Sequence, residues 1–442
     1  MPFTTSVPDA GSVADTTKPD RDRAVDVARL FALVIVMFGH CALLLATVDS
    51  SGLRIGNLLG EVPELAPITW VVQVMPLFFL AGGAAGAYGW REGTQWGTWL
   101  FARAQRLCRP VFWYLAFWTV GLVVTSMILG ADSAAGLGAE CVALLWFLGV
   151  YLVALAFVPA LTRMRTGRAV SLVVASLLVA AALVDGVRIA TGIPMSGLVN
   201  FLIVWLIPVA IGVGYARRLI SVPAALAAAA SALAAQVLLA VLGPYEVSLV
   251  VTGTEHMSNT SPPTLLLALH CTWMSCAFVA AAGPVRRWAQ RPRVWQFVAV
   301  GNGGAMTLYL WHIPAIAVAT FTLHAVGLDA YNVEAQGFWG MMALRAVVFA
   351  AVMAAAFFVL SPLEHRRLPW WDSAARATGV RSTVAGVFIC LAGVALVLLA
   401  KYGLAGVHGY ILLAAFVVWA GAARVSEGGS TRLTAQAAQT IT

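Results

Sequence analysis

Residues 28–48 read ARLFALVIVMFGHCALLLATV, an apolar run with one arginine near its start and one histidine inside it. An α-helix rises 1.5 Å per residue, so about 20 apolar residues cross the hydrocarbon layer of a bilayer. Comparable runs follow at approximately 67–90, 108–130, 139–161, 169–190, 197–216, 221–242, 263–282, 295–323, 341–360, 382–400 and 404–421. Of the 442 residues 61% are hydrophobic and 10% charged, where a soluble domain carries roughly 25% charged residues. The pattern predicts an all-α polytopic membrane protein with about twelve transmembrane helices and no long polar break between them. Residues 1–20, polar and without an apolar h-region, read as a disordered tail and not as a signal peptide. Residues 422–442 read as a second tail.

Charge placement orients the chain. With the N-terminus cytoplasmic, all but four of the 27 basic residues fall on the cytoplasmic side, the exceptions being Arg54, Arg188, Lys401 and Arg345 near a helix end. The opposite loops collect acids such as Asp49, Glu61, Glu64, Asp132, Glu140, Glu246 and Asp329. The positive-inside rule then holds at every loop, and one missed helix would invert all loops after it. Both termini are expected in the cytoplasm and the chain in the cytoplasmic membrane. The net charge of +8 is accounted for by these loops, with no nucleic-acid partner. The six cysteines lie in or beside apolar runs without metal-ligand spacing, so they read as small apolar fillers and no metal is expected.

Ionisable groups inside a span are costly and mark function by default. His40 lies twelve residues into the first run, about 18 Å from its start by helical rise. Arg29 precedes it by eleven residues, which returns the helix to within about 20° of the same face, some 16 Å away. That stripe suits a long ligand with a charged end at Arg29 and a reactive end at His40. A neutral imidazole can take a proton from an attacking hydroxyl; a helix-to-helix hydrogen bond is the bland alternative. Gly301-Asn302-Gly303-Gly304 and Pro314 predict an interfacial stretch followed by a broken or bent helix.

Asp26-Val27-Ala28-Arg29 followed by Gly39-His40 resembles the opening of the acyltransferase-3 family of integral membrane acyltransferases, which reads Asp-x-x-Arg, ten residues, then His. Pro76-Leu77-Phe78-Phe79-Leu80-Ala81-Gly82 is similar to the family's second-helix Phe-Phe-x-x-Ser-Gly stretch. Arg103-Ala104-Gln105-Arg106-Leu107-Cys108-Arg109-Pro110 resembles its basic loop before the third helix. Leu145-Trp146-Phe147-Leu148 resembles its Leu-Trp-Phe-Leu segment, and Tyr309-Leu310-Trp311-His312 its late Tyr-Leu-x-His motif. Ala81 and Ala305 stand where the family favours a hydroxyl residue, and Leu144 where a polar one is frequent. The resemblance covers residues 21–362 as a ten-helix core and leaves residues 363–421 as a two-helix extension.

The resemblance implies a cytoplasmic acyl-coenzyme A donor, with acetyl-coenzyme A the favoured form. It also implies transfer to a hydroxyl of an envelope glycan, a glycolipid or a small molecule, and a catalytic His40 with Arg29. Asp26 and His312 join them as candidate catalytic residues. Arg103, Arg106 and Arg109, at helical spacing, form a candidate phosphate-binding face with Arg29; positive-inside charge alone is the other reading. Trp146, Tyr309, Trp311 and His270 are the candidate acceptor contacts, and membrane lipid is the surrounding partner. Glu255-His256 reads as a solvated loop. Twelve helices with both ends inside is also the plan of a secondary transporter, and a protein that hands the acyl group across the membrane to a separate enzyme has the same signature. The oligomeric state stays open, because Gly82, Gly83 and Gly86 suit close helix packing within one chain or between two.

Overall fold

The structure is a computed structural model that describes residue 17 and residues 21–49, 52–253 and 257–428. Most of the N-terminal tail, Glu255-His256 and the last fourteen residues lie outside the described residues. Twelve helices in the described residues are long and apolar enough to cross a membrane. The helices of eleven or more residues are α1 (Arg23–Leu43), α2 (Met75–Tyr88), α3 (Trp96–Leu129), α4 (Ala131–Val142), α5 (Leu145–Leu155), α6 (Gly167–Thr191) and α7 (Asn200–Ala216). They continue as α8 (Val222–Leu242), α9 (Leu265–Trp288), α10 (Pro292–Gly303), α11 (Ala305–Ala325), α12 (Phe338–His365), α13 (Gly379–Tyr402) and α14 (Gly406–Gly428).

Several boundaries differ from the sequence reading, three of them at α1 and α3. The first helix starts five residues earlier, at Arg23, where the Asp22 carboxylate caps it by accepting from the Ala24 N–H. It ends at Leu43, and β1 (Leu44–Asp49) pairs antiparallel with β2 (Gly52–Asn57), Leu44 opposite Asn57 and Asp49 opposite Gly52. The apolar run Leu43-Leu44-Leu45-Ala46 continues the helix's hydropathy and so hides the change of structure. Leu45 packs with Leu58, Ala330, Phe338 and Met342, which gives the hairpin its own apolar seat. The third helix also begins early, so Arg103, Arg106 and Arg109 lie on α3 and not in a loop before it.

The expected break in the ninth segment is present: α10 ends at Gly303 and α11 starts at Ala305. Gly304 lies against the Phe357 ring so closely that a Cβ there would collide with it. Asn302 donates from Nδ2 to the carbonyls of Asp26 and Val298, both at 2.9 Å, which ties the break to α1. The second span is broken too. A one-turn helix (Thr69–Val72) stops short of α2, whose second residue, Pro76, lacks an N–H. The Gln73 carbonyl freed there accepts from His270 Nε2 of α9 at 2.7 Å. In hydrocarbon an unpaired carbonyl costs several kcal/mol, so the break needs such a partner.

The chain forms two compact units. Residues 1–87 and 162–358 make the first, in which α1 packs on α9, α10 and α11, and α9 on α7 and α8. There α2 and α7 meet backbone to backbone, with Gly83 facing the Val209 carbonyl and Gly212 facing the Leu80 carbonyl. Residues 88–161 and 359–442 make the second, in which α13 packs on α14, α5 and α3. Its core includes Phe101, Phe112, Trp371 and Phe416, ring against ring. The buried Glu427 of α14 accepts from Thr98 Oγ1 of α3 at 2.9 Å.

Gly83→Val and Gly212→Val should each lower stability by about 1–3 kcal/mol, because a side chain must push α2 and α7 apart. Gly186→Ala, at an open position, should be neutral. Thermal unfolding of the detergent-solubilised chain measures this, and a wild-type midpoint for both valine variants would refute the backbone contact.

Candidate active site

The first unit brings together two histidines that are far apart in sequence. His40 lies in the last turn of α1, nearer the helix end than the sequence count placed it, because the helix starts and ends earlier. His312 of α11 is fully buried. His40 Nδ1 and His312 Nε2 are 3.0 Å apart, and the rings lie nearly parallel, 11° apart with centroids at 5.2 Å.

The backbone around His312 fixes where the protons sit. His312 Nδ1 faces the carbonyls of Tyr309 at 2.7 Å and Leu308 at 3.3 Å. A carbonyl only accepts, so Nδ1 carries the hydrogen, and in the neutral ring Nε2 is a bare acceptor. The hydrogen between the rings therefore belongs to His40 Nδ1, which leaves the His40 Nε2 lone pair unprotonated. Among the described residues no hydrogen bond reaches that atom, and the ring is only half-buried. His312 accepts from His40 in the position that a carboxylate holds in a Ser-His-Asp triad, here with a neutral group.

The charged end of α1 is built separately. Asp26, 6% exposed, accepts from Arg21 Nε at 2.7 Å and Nη2 at 3.1 Å. Arg29 reaches the same carboxylate only at 3.7 Å and makes no hydrogen bond among the described residues, so its guanidinium keeps its donors. Asp22 holds Tyr215 Oη at 2.8 Å and Arg286 Nη2 at 3.1 Å, which clamps the start of α1. Asp26 thus stands with Arg29, some 21 Å along the helix from His40 by helical rise.

Residues 22–361 match the acyltransferase domain family. The chain belongs to the acyltransferase-3 family. No curated protein and no solved structure matches it. Family membership makes this acyltransferase-3 chain a membrane acyltransferase.

Within the acyltransferase-3 chain the other candidates have varied surroundings. Tyr309 offers its carbonyl to His312 and sets its ring 6.5 Å away; Trp311 is half-buried beside them in sequence. His270 is fully buried, holds the Gln73 carbonyl and meets Trp273 edge-on. The second unit contains Trp146, edge-on to Phe147, and the three arginines of α3. Arg109 is bound to Asp372 at 2.6 Å, Arg103 stacks 3.7 Å from the Trp99 ring centroid, and Arg106 is exposed. Among the described residues no group of three or more His, Cys, Asp or Glu side chains is placed to hold a metal. Arg345 was legible in sequence only as a charge near a helix end; the structure buries it and aims it at the Cys41 carbonyl.

His312→Leu should slow acyl transfer about 10²-fold, since His40 loses the acceptor that fixes its tautomer. His312→Gln, whose Oε1 can accept in place of Nε2, should retain most of the rate. Turnover of the two folded variants compares them, and equal rates would remove His312 from the mechanism.

Proposed function

We propose that the protein moves an acyl group, acetyl for preference, from cytoplasmic acyl-coenzyme A to a hydroxyl of an envelope glycan, glycolipid or small molecule. The observation that carries the reading is the contact of His40 Nδ1 with His312 Nε2, whose hydrogen-bond pattern assigns the free lone pair to His40 Nε2. The acceptor hydroxyl gives its proton to Nε2 while its oxygen attacks the thioester carbon. The tetrahedral intermediate then expels the coenzyme A thiolate, which takes the proton back from His40. Arg29, with its donors uncommitted and its side chain partly exposed, holds the donor's phosphates. The 16 Å or so between Arg29 and His40 along α1 matches a ligand with charge at one end and a thioester at the other.

Release of free thiol from radiolabelled acetyl-coenzyme A in lipid nanodiscs, with and without envelope extract, tests the reading. His40→Ala should abolish acceptor-dependent release and leave donor binding intact. Arg29→Ala should instead raise the donor's KM roughly 10- to 100-fold, the loss of a charge-assisted hydrogen bond. An intact wild-type protein that neither binds nor cleaves any of several acyl donors would overturn the proposal.

A further inference from the structure

The most buried charge near His40 belongs to a residue with no part in that scheme. Arg345 of α12 is 1% exposed. Its Nη2 donates to the Cys41 carbonyl at 2.6 Å and lies 3.0 Å from Met342 Sδ. Among the described residues Nε and Nη1 have no partner. Asp329 Oδ2 is engaged by Thr47 Oγ1 and His324 Nδ1, and no hydrogen bond or ion pair joins Asp329 to Arg345 among the described residues.

Capping one helix carbonyl does not require this group. A glutamine caps with a single neutral donor, whereas a buried guanidinium costs far more to place in an apolar interior and is stable only when its donors are used. The position explains the choice. Cys41 is bonded to His40, and α1 ends two residues later, so the helix's unpaired carbonyls lie in the same turn as the base. A helix C-terminus carries about half a negative charge, which opposes any anion that forms beside it. Acyl transfer forms such an anion: as the acceptor O–C bond is made and its proton passes to His40 Nε2, the carbonyl π pair moves onto oxygen. Collapse then returns that pair, breaks the C–S bond and sends the thiolate off with the proton from His40.

The geometry points to Arg345 as the group that stabilises the acyl oxyanion beside His40. Its Nη2 neutralises the end of α1, and Nε–H and Nη1–H supply the donors that meet the charge as it develops. The inference rests on the acyl-transfer reading, and the assay keeps the two separable. Full-length Arg345→Gln retains a donor for the Cys41 carbonyl but loses the cation. In nanodiscs it should lose kcat by about 10²- to 10³-fold with donor KM within about twofold of wild type, the signature of an interaction made only in the transition state. Arg345→Lys should fall between the two.

Fluoroacetyl-coenzyme A, whose activated carbonyl depends less on outside stabilisation, should show a smaller deficit than acetyl-coenzyme A in either variant. That contrast keeps the test decisive through the lysine variant if the glutamine variant melts early. A helix cap alone would give a folded Arg345→Gln protein with wild-type kcat, or equal deficits for the two donors, and either result overturns the inference. If the wild type transfers acyl groups and His40→Ala does not, those results leave the proposed function standing. If the wild type transfers nothing, both fall together.

Discussion

In hydrocarbon a carbonyl released from its helix has no water to turn to, and this constraint organises the first unit. The chain breaks its helices at Gln73, at Gly304 and at the end of α1, and buried polar side chains gather at these places. His270 answers the Gln73 carbonyl, Asn302 ties the α10 to α11 break to α1, and Arg345 answers Cys41. His312 leans on the Tyr309 carbonyl of its own helix and thereby fixes the proton on His40. In the proposed mechanism, backbone satisfaction and catalysis are therefore not separate layers. A buried polar group whose bonding is completed by the backbone is scaffold, and one with capacity left over is available to a ligand.

That distinction sorts the intramembrane histidines. His270 commits Nε2 to the backbone, and although its Nδ1 has no partner among the described residues, the ring is fully buried against Trp273 with no exposure to a ligand. His40 commits Nδ1 to His312 and keeps Nε2 uncommitted on a half-buried ring. The same logic separates Arg109, bound to Asp372, from Arg29, whose nearest carboxylate is already held by Arg21.

Much of this was legible in the sequence, for identifiable reasons. Hydropathy and alternating charge reported twelve spans because the bilayer imposes one length on all of them, and Gly301 to Gly304 announced the broken helix through residues that cannot hold one. The β1–β2 hairpin was hidden because its first strand is as apolar as the helix before it. The early start of α1 was hidden because Arg23 and Asp26 look like loop charges until Asp26 is seen to pair with Arg21, and Arg23 to donate to the Ala289 carbonyl. His40 and His312 could each be singled out as polar groups in apolar surroundings. Their contact could not, since 272 residues separate them and no periodicity links α1 to α11. Arg345 lay in an apolar run and drew attention only as a terminal charge; which carbonyl it meets depends on tertiary packing alone.

The Asp22 clamp at one end of α1 and the Arg345 contact at the other make that helix a gauge. A hydrogen-bonded helix does not stretch, so the interval between Arg29 and His40 is set by the number of residues between them. One inserted residue would lengthen the interval by 1.5 Å and, more damagingly, swing His40 about 100° away from His312. Under the proposed role of Arg29, donor choice is a matter of reach as well as of chemistry: a donor on too short an arm would be held at one end and never arrive at the other.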